Sequence, residues 1–490
     1  LNDDRGFADG ADGHLPGVFV ASLKILAART GNYNRHDEIL TEVLFKAVGI
    51  SDKLDASNSV SAYIKLGLSI FGKGPMRHQI DSKDLLNRFL SYVQIDTQAD
   101  SRSATTPSSP KQWALIQQLE SELRALPLKD VRVTEFGYVL ATVPATSSKA
   151  KIPTVALLAH VDTAEGCSGL AKPIVHRNYQ GQTIVLPDDP AQTLNPKDLP
   201  LLKEKIGEDL ITASGKSLLG ADDKSGVAIV MAAVRHLVLH PEIPHGPVRV
   251  CFNPDEEIGR GTEKLTLVDL AADVAYTLDA EHRGEVDFES FSADRATVTI
   301  DGIAAHPGWA NGVMVNALRL AADFIAALPR DVSPERTCDR AGFIHPTDMR
   351  GTPESVEITM ILRDFELDGL EQKGRIVRDC AAKIQAAEPR AKVRCEITKQ
   401  YRNMRYWLEK DMRPVEFAIE AVKRAGMTPM SEAIRGGTDG SRLTERGLPT
   451  PNVFTGFHQV HSEREWVSLQ DMTLAAETLI HLLKIWEERA

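Results

Sequence analysis

Cysteine is scarce: Cys167, Cys251, Cys338, Cys380 and Cys395 are odd in number, scattered through 490 residues and without a C-x-x-C pair. That spacing excludes a disulfide framework or a thiolate zinc knuckle and reads as reduced thiols, so a cytoplasmic protein is expected. Long apolar runs are also missing. The best, residues 17–28, is broken by Lys24 and falls short of the ~20 residues that a membrane helix needs, so no membrane span is expected. Positive charge is in deficit. With 57 Lys and Arg against 68 Asp and Glu, the formal net charge of −11 argues against nucleic acid or an anionic membrane as the main partner. The opening Leu1-Asn2-Asp3-Asp4-Arg5 is acidic and lacks an initiator Met, unlike the basic start of a secretory signal.

What is present is ordinary globular material, 42% hydrophobic and 26% charged, in a chain long enough for about three domains at roughly 150 residues each. Residues 1–80 stand apart. Helical spacing of Ile39, Leu40, Val43, Leu44, Ala47 and Val48, with a second apolar stretch over 59–71, suggests a helical extension without an assigned role. Its Asp-Gly-rich residues 9–13 lack the spacing and closing Glu of a calcium loop.

From Asp81 the pattern changes. A helix carrying Leu85, Leu86, Phe89, Leu90 and Val93 is followed by a Ser/Thr/Pro-rich loop over 97–110 and a second helix through Leu126. Strands are expected over 131–143 around Gly137, and over 153–160, 247–253 and 271–279, with a helix over 225–240. Residues 296–300, 314–328, 355–365, 367–387 and 392–398 then read strand, helix, strand, helix, strand, which resembles a split βαβ unit. Helices over 415–425 and 470–488 and a strand over 451–455 close the chain. The expected architecture is α/β: a central mixed sheet flanked by helices, built from residues 81–290 and 401–490 and interrupted at 291–400 by a smaller α+β, ferredoxin-like insert.

The chemistry-bearing residues sit at strand ends. Ala159-His160-Val161-Asp162 places His160 and Asp162 on one face where a strand finishes, so a carboxylate can orient a ligating imidazole. Alone, His-x-Asp is usually structural. Asp222-Asp223 before a helix reads as an N-cap, Asp255-Glu256-Glu257 as a solvated turn, Asp279 as an isolated acid and His458 with His461 as loop residues. Taken together, His, Asp and Glu at the carboxyl ends of successive strands are what a two-metal hydrolase uses. Mixed imidazole and carboxylate donors without thiolate suit zinc, with cobalt or manganese as substitutes, and a second Glu beside a ligating one supplies a general base.

The segments His160-Val161-Asp162-Thr163, Leu219-Gly220-Ala221-Asp222-Asp223-Lys224, Pro254-Asp255-Glu256-Glu257-Ile258-Gly259, Tyr276-Thr277-Leu278-Asp279 and Asn452-Val453-Phe454-Thr455-Gly456 leading into His461 resemble, in order, the motifs of the peptidase T family. Its members are tripeptide aminopeptidases among the di-zinc exopeptidases. Segments between these motifs are similar too: Ile243-Pro244-His245-Gly246, His306-Pro307-Gly308, Gly312-Val313-Met314-Val315-Asn316-Ala317, Arg363-Asp364-Phe365, Asn403-Met404-Arg405 and Arg435-Gly436-Gly437-Thr438-Asp439-Gly440. The resemblance runs from about Asp81 to the end.

It implies two zinc ions per subunit bridged by Asp222, one completed by His160 and Asp279, the other by Glu257 and His461. Asp162 orients His160, and Glu256 moves the proton from the bridging water to the leaving amine. The insert is implied to be a lid and dimerisation domain. His306 is implied to polarise the scissile carbonyl, across a dimer interface in one arrangement, and Arg363, Asn403 and Arg435 to hold a short peptide. After Asp279 the family carries small glycines, whereas this chain has Ala280-Glu281-His282-Arg283. The same ligand set also serves di-zinc dipeptidases, carboxypeptidases and amidohydrolases, and a catalytically idle peptide-binding protein is a further alternative.

Overall fold

An apolar strand without alternation has to be covered on both faces, and the chain meets that demand with one large sheet set between helices. The computed structural model describes residues 78–490. The helical extension expected over residues 1–80 therefore lies, but for its last three residues, outside the described residues.

Helix α1 (Ser82–Val93) begins at Asp81, whose side chain accepts the amide of Asp84. Helix α2 (Gln112–Arg124) leads into the hairpin β1 (Lys129–Val133) and β2 (Val139–Val143), which turns at Gly137 with φ of 82°. Next come β3 (Val155–His160), α3 (Ala221–Leu239), β4 (Val248–Asn253), β5 (Val274–Ala280) and β6 (Val286–Asp287). A second group follows: β7 (Ser292–Asp301), α4 (Ala317–Ala327), β8 (Phe343–Gly351), β9 (Ser355–Asp364), α5 (Leu367–Ala387) and β10 (Lys392–Tyr401). Helices α6 (Arg413–Arg424) and α7 (Asp439–Glu445), strand β11 (Asn452–Phe454) and helix α8 (Leu469–Glu488) close the chain.

The large sheet has seven strands in the order β1-β2-β4-β3-β5-β11-β6. Its four central strands are parallel and its edges antiparallel, so the sheet is mixed as expected. Every residue of β3 and β4 is buried. Leu157 and Ala159 pack into the larger core with Val230, Met472 and Leu479, while Ala156 and Leu158 face a second core with Tyr138, Leu265 and Leu443. Because the parallel strands all run the same way, their carboxyl ends bring His160, Asn253 and Asp279 to one edge.

Strands β7 to β10 form a separate antiparallel sheet in the order β8-β9-β7-β10. With α4 and α5 on one face, over Val298, Ile300, Ile358 and Leu362, it has the β-α-β-β-α-β order of a ferredoxin-like unit. Strand β8 is additional to the strands expected in this insert. Beyond the buried Phe343 and Ile344 that strand runs along an edge, interrupted by Pro346 and largely solvated, so its residues carry no alternating apolar signal.

Candidate active site

Strand β3 delivers His160, only 3% exposed, to the carboxyl edge of the sheet. Its Nε2 lies 3.0 Å from Asp222 Oδ1 and 3.7 Å from Asp279 Oδ1, and its Nδ1 lies 3.4 Å from Asp162 Oδ1. From the other side, His461 Nε2 lies 3.3 Å from Asp222 Oδ2 and 3.0 Å from Glu257 Oε2. One carboxylate, Asp222, thus stands between two imidazoles, each of which has a further acid beside it. The five residues expected as ligands come together from segments spread over 302 positions of the chain, from His160 to His461.

Asp162 does more than face His160. Fully buried, it accepts the main-chain amide of Glu256 on Oδ1 at 3.0 Å and that of Glu257 on Oδ2 at 3.1 Å. The turn carrying both glutamates is closed by the amide of Arg260 donating to the Asp255 carbonyl at 2.9 Å, with Asp255 in the left-handed region at φ of 63°. The Asp255 side chain is buried and accepts from Ser108 and Gln112. Glu256 is therefore held at the cleft from both ends of its turn.

Three further buried acids complete the frame. Glu465 accepts the amides of Leu219, Gly220 and Asp222 at 2.8, 2.8 and 2.9 Å, so it cradles the backbone that presents Asp222. Asp223 accepts the amides of His160 at 3.1 Å and Gly226 at 3.0 Å, joining the end of β3 to the start of α3. Asp439 accepts from Asn253 Nδ2 at 2.6 Å. The only sequence signal for Glu465 was its place four residues after His461.

These donors fit a metal. The groups His160, Asp222, Glu257 and His160, Asp223, Asp279 each offer ligand atoms within 4.8 Å of one another. Glu257 Oε1 is buried with no hydrogen-bond partner. Burial, then the charges of Asp279 and Asp439, push the Glu256 carboxyl well above its ordinary range, and burial with Asp222 pushes Glu257 up to about 7. His461, between Asp222 and Glu257, is raised to about 11. Crowded, poorly hydrated carboxylates of this kind are relieved by a divalent cation.

A cleft of about 430 Å³ opens over the cluster, lined by Asp222, Glu256, Glu257, Asp279 and His461 together with Glu285, Asp287, Glu432 and Arg435. A larger cleft, about 540 Å³, lies at the amino ends of the parallel strands; it contains no histidine, and its Arg132 and Asp269 pair with each other at 3.0 Å. Of the residues expected to hold substrate, Arg435 lines the catalytic cleft and donates to the carbonyls of Asp339 and Ala341 at 2.5 and 2.9 Å. Arg363 Nη1 donates to the Arg435 carbonyl at 3.2 Å, while its Nε is buried without a partner. Asn403 is fully buried, bonded to the amides of Ser290 and Arg405 and to the Phe365 carbonyl, away from the cleft lining. His306 is exposed on a turn, where its Nδ1 accepts the Gly308 amide and its ring lies against Trp309 at a tilt of 46°. It is not part of the cleft lining.

Residues 219–485 match the model of peptidase family M20/M25/M40. The chain is 42% identical over 408 residues to peptidase T of Geobacillus sp. (strain WCH70), covering 83% of this chain and 99% of that protein. Against peptidase T of Enterococcus faecalis identity is 42% over 405 residues, covering 82% and 99%. Among solved structures, a tripeptidase from Staphylococcus aureus superposes with a TM-score of 0.65 at 22% identity, covering 84% of this chain and 100% of the other. The aminopeptidase PepT from Bacillus cereus gives 0.62 at 21% identity, covering 83% and 99%. Family model, whole-length relatives and fold agree, and this chain belongs to peptidase family M20/M25/M40 and, within it, to the peptidase T family.

Proposed function

We propose that the chain is a metal-dependent aminopeptidase that releases the N-terminal residue of short peptides, with tripeptides as the preferred length. The observation that carries this reading is Asp222, whose two oxygens lie 3.0 and 3.3 Å from the imidazoles of His160 and His461. Two zinc ions would be held by Asp222, between the imidazoles, together with His160, Asp279, Glu257 and His461; cobalt and manganese are substitutes with the same donor preference. Such ions, when bound, polarise the scissile carbonyl and make hydroxide available near neutral pH.

The chain's own groups do the rest. Asp162 holds His160 in orientation and keeps the Glu256 turn against the cluster. Glu256 takes a proton from the attacking water on its carboxylate and delivers it to the leaving amine nitrogen as the C–N bond breaks, so no acyl-enzyme forms. Glu285, Asp287 and Glu432 line the cleft against the single guanidinium of Arg435; burial and then Glu285 push the Asp287 carboxyl up to about 9, and the acidic balance of the remaining lining, Asp222, Glu256, Glu257, Asp279 and Glu432 among it, supports a substrate with a free ammonium over one presenting a carboxylate at the scissile bond. Arg363 and Arg435 are proposed to grip the far carboxylate, and Asn403 to position the segment between them.

Residues 81–290 and 401–490 are proposed as the catalytic domain and 291–400 as lid and dimerisation domain. Since His306 lies outside the cleft of its own chain, its proposed action on the scissile carbonyl requires a homodimer through the lid. Five free thiols support a cytoplasmic setting, and among the described residues no helix is long and apolar enough to cross a membrane. The test is hydrolysis of a free tripeptide by chelator-stripped protein before and after zinc or cobalt is restored, with Glu256→Gln in parallel. Activity that returns with metal in the native protein and not in the variant supports the reading; activity indifferent to chelation overturns it.

A further inference from the structure

Beside the cluster just described lies a second set of donors that the reaction does not use. Glu281 and His282 follow directly after β5, and His458 lies in the short strand Phe457–His458 that pairs with Trp466–Ser468. Each offers one ligand atom, and the three atoms lie within 4.8 Å of one another. We propose that Glu281, His282 and His458 form a third divalent-metal site, for an ion of the zinc class, at the rim of the cleft.

The independent observation is the state of His458. Its ring is 3% exposed, yet neither Nδ1 nor Nε2 has a hydrogen-bond partner. Buried polar atoms in folded proteins are almost always satisfied, and an imidazole with both nitrogens idle is one whose partner is missing. The Glu281 carboxylate stands beside it, with Oε2 3.7 Å from His458 Nδ1. That separation is too long for a hydrogen bond. It is close to the distance of about 3.4 Å between two donors that share a tetrahedral zinc at metal–ligand distances of about 2.0–2.1 Å. The His282 ring completes the group, 5.2 Å from that of His458 between centroids.

The donors are held in advance. His458 packs against the buried Trp466, ring centroids 4.4 Å apart and planes tilted by 38°, which limits its ring's freedom to turn. On the other side, the His282 amide donates to Glu285 Oε2 at 2.6 Å and the Glu285 amide to the His282 carbonyl at 2.9 Å, closing the turn. Arg283, next in the chain, is anchored to Glu208 and Asp471. Two imidazoles and one carboxylate on rigid supports form a common zinc-type donor set, and three protein ligands leave a coordination position open. Glu281 also lines the cleft, so the site adjoins the substrate's space.

The test is metal counting on the full chain. Protein stripped by chelator is titrated with Co²⁺, followed by its visible d–d absorption, and zinc-loaded protein is desalted and its content measured by mass spectrometry. The expected result is three ions per chain, with one ion and its share of the cobalt spectrum lost in His282→Ala, a partly exposed position, while peptide hydrolysis persists. Glu281→Gln gives the same count. Asp222→Asn removes ions from the other cluster and keeps the one lost in His282→Ala, so failure of the two-metal reading and failure of this site are told apart. Equal metal content in the native protein and His282→Ala overturns the proposal, as does a third ion that persists in both variants.

Discussion

Replacing Asp162 by Asn separates two jobs that the carboxylate performs. In the folded chain it faces His160 Nδ1 at 3.4 Å and also accepts the amides of Glu256 and Glu257 at 3.0 and 3.1 Å. Asparagine keeps the shape but offers one carbonyl oxygen, and its NH₂ group must turn toward an amide donor. A hydrogen bond to an ionised acceptor contributes about 1.5–3 kcal/mol and one to a neutral acceptor about 0.5–1.5 kcal/mol. Losing one bond outright and the charge from the other comes to about 2–4 kcal/mol of stability in the metal-free protein. Because the turn carries Glu256, a displacement of about 1 Å is expected to lower kcat by about 100-fold even at full metal loading. Urea unfolding of stripped protein reads the first effect and steady-state hydrolysis with saturating zinc the second. If Asp162→Asn unfolds within about 0.5 kcal/mol of the native chain and loses only zinc affinity, Asp162 acts through His160 alone and the account of the turn is wrong.

Glu256→Gln is expected to lower kcat by about 10²–10⁴-fold while zinc content, measured by mass spectrometry, stays at the native level. Chelation should lower the thermal midpoint as well as activity, and zinc at about 100 times its Kd should restore about 2.7 kcal/mol, read by calorimetry. Asp471 holds two cations, Lys205 at 2.5 Å and Arg283. Asp471→Asn therefore leaves the buried Lys205 uncompensated, while Arg283 keeps Glu208, and should cost about 3–5 kcal/mol in urea, whereas Lys205→Met, which leaves Asp471 paired with Arg283, should cost less. Burial first, then His481, Lys484, His236 and His240, hold His78 down at about 4 from its ordinary 6.5. The unfolded chain binds that proton and the folded one resists it, so the contribution is complete above pH 6.5 and lost as pH falls toward 4. The loss is about 2 kcal/mol after allowing for its partial exposure, and His78→Gln should flatten the decline in urea midpoints between pH 7 and 4.

The parts of this molecule legible in the sequence are those where local pattern and long-range packing agree. The unbroken apolar run ending in His160 had to be a covered strand, and Asp279 and the Asp255–Glu257 acids follow comparable runs, so their arrival at one sheet edge follows from parallel pairing. Helix α5 matched its periodicity from Leu367 to Ala387 because one stripe packs on the smaller sheet. Glu465 was not legible, because what defines it is the backbone amides it receives; Asp223 was legible as a helix cap, through the Gly226 amide, and not as the acceptor of the distant His160 amide. Glu465 reaches amides 243 to 246 positions away, and nothing in its neighbours announces that. Strand β8 was missed for the opposite reason: its pairing is backbone bonding along a solvated edge, which needs no apolar alternation. His458 read as a loop histidine, and only its burial against Trp466 with two idle nitrogens gives it interest.

The central claim is that an acidic, metal-holding cleft cuts short peptides from a free amino end. The most direct measurement compares one tripeptide in three forms, unblocked, N-acetylated and C-amidated, with zinc-loaded protein. The account predicts rapid release of the first residue from the unblocked form, loss of hydrolysis on acetylation, and abolition of all turnover by chelator. Cleavage of the acetylated peptide at its carboxyl end would contradict it and place the chain among carboxypeptidases.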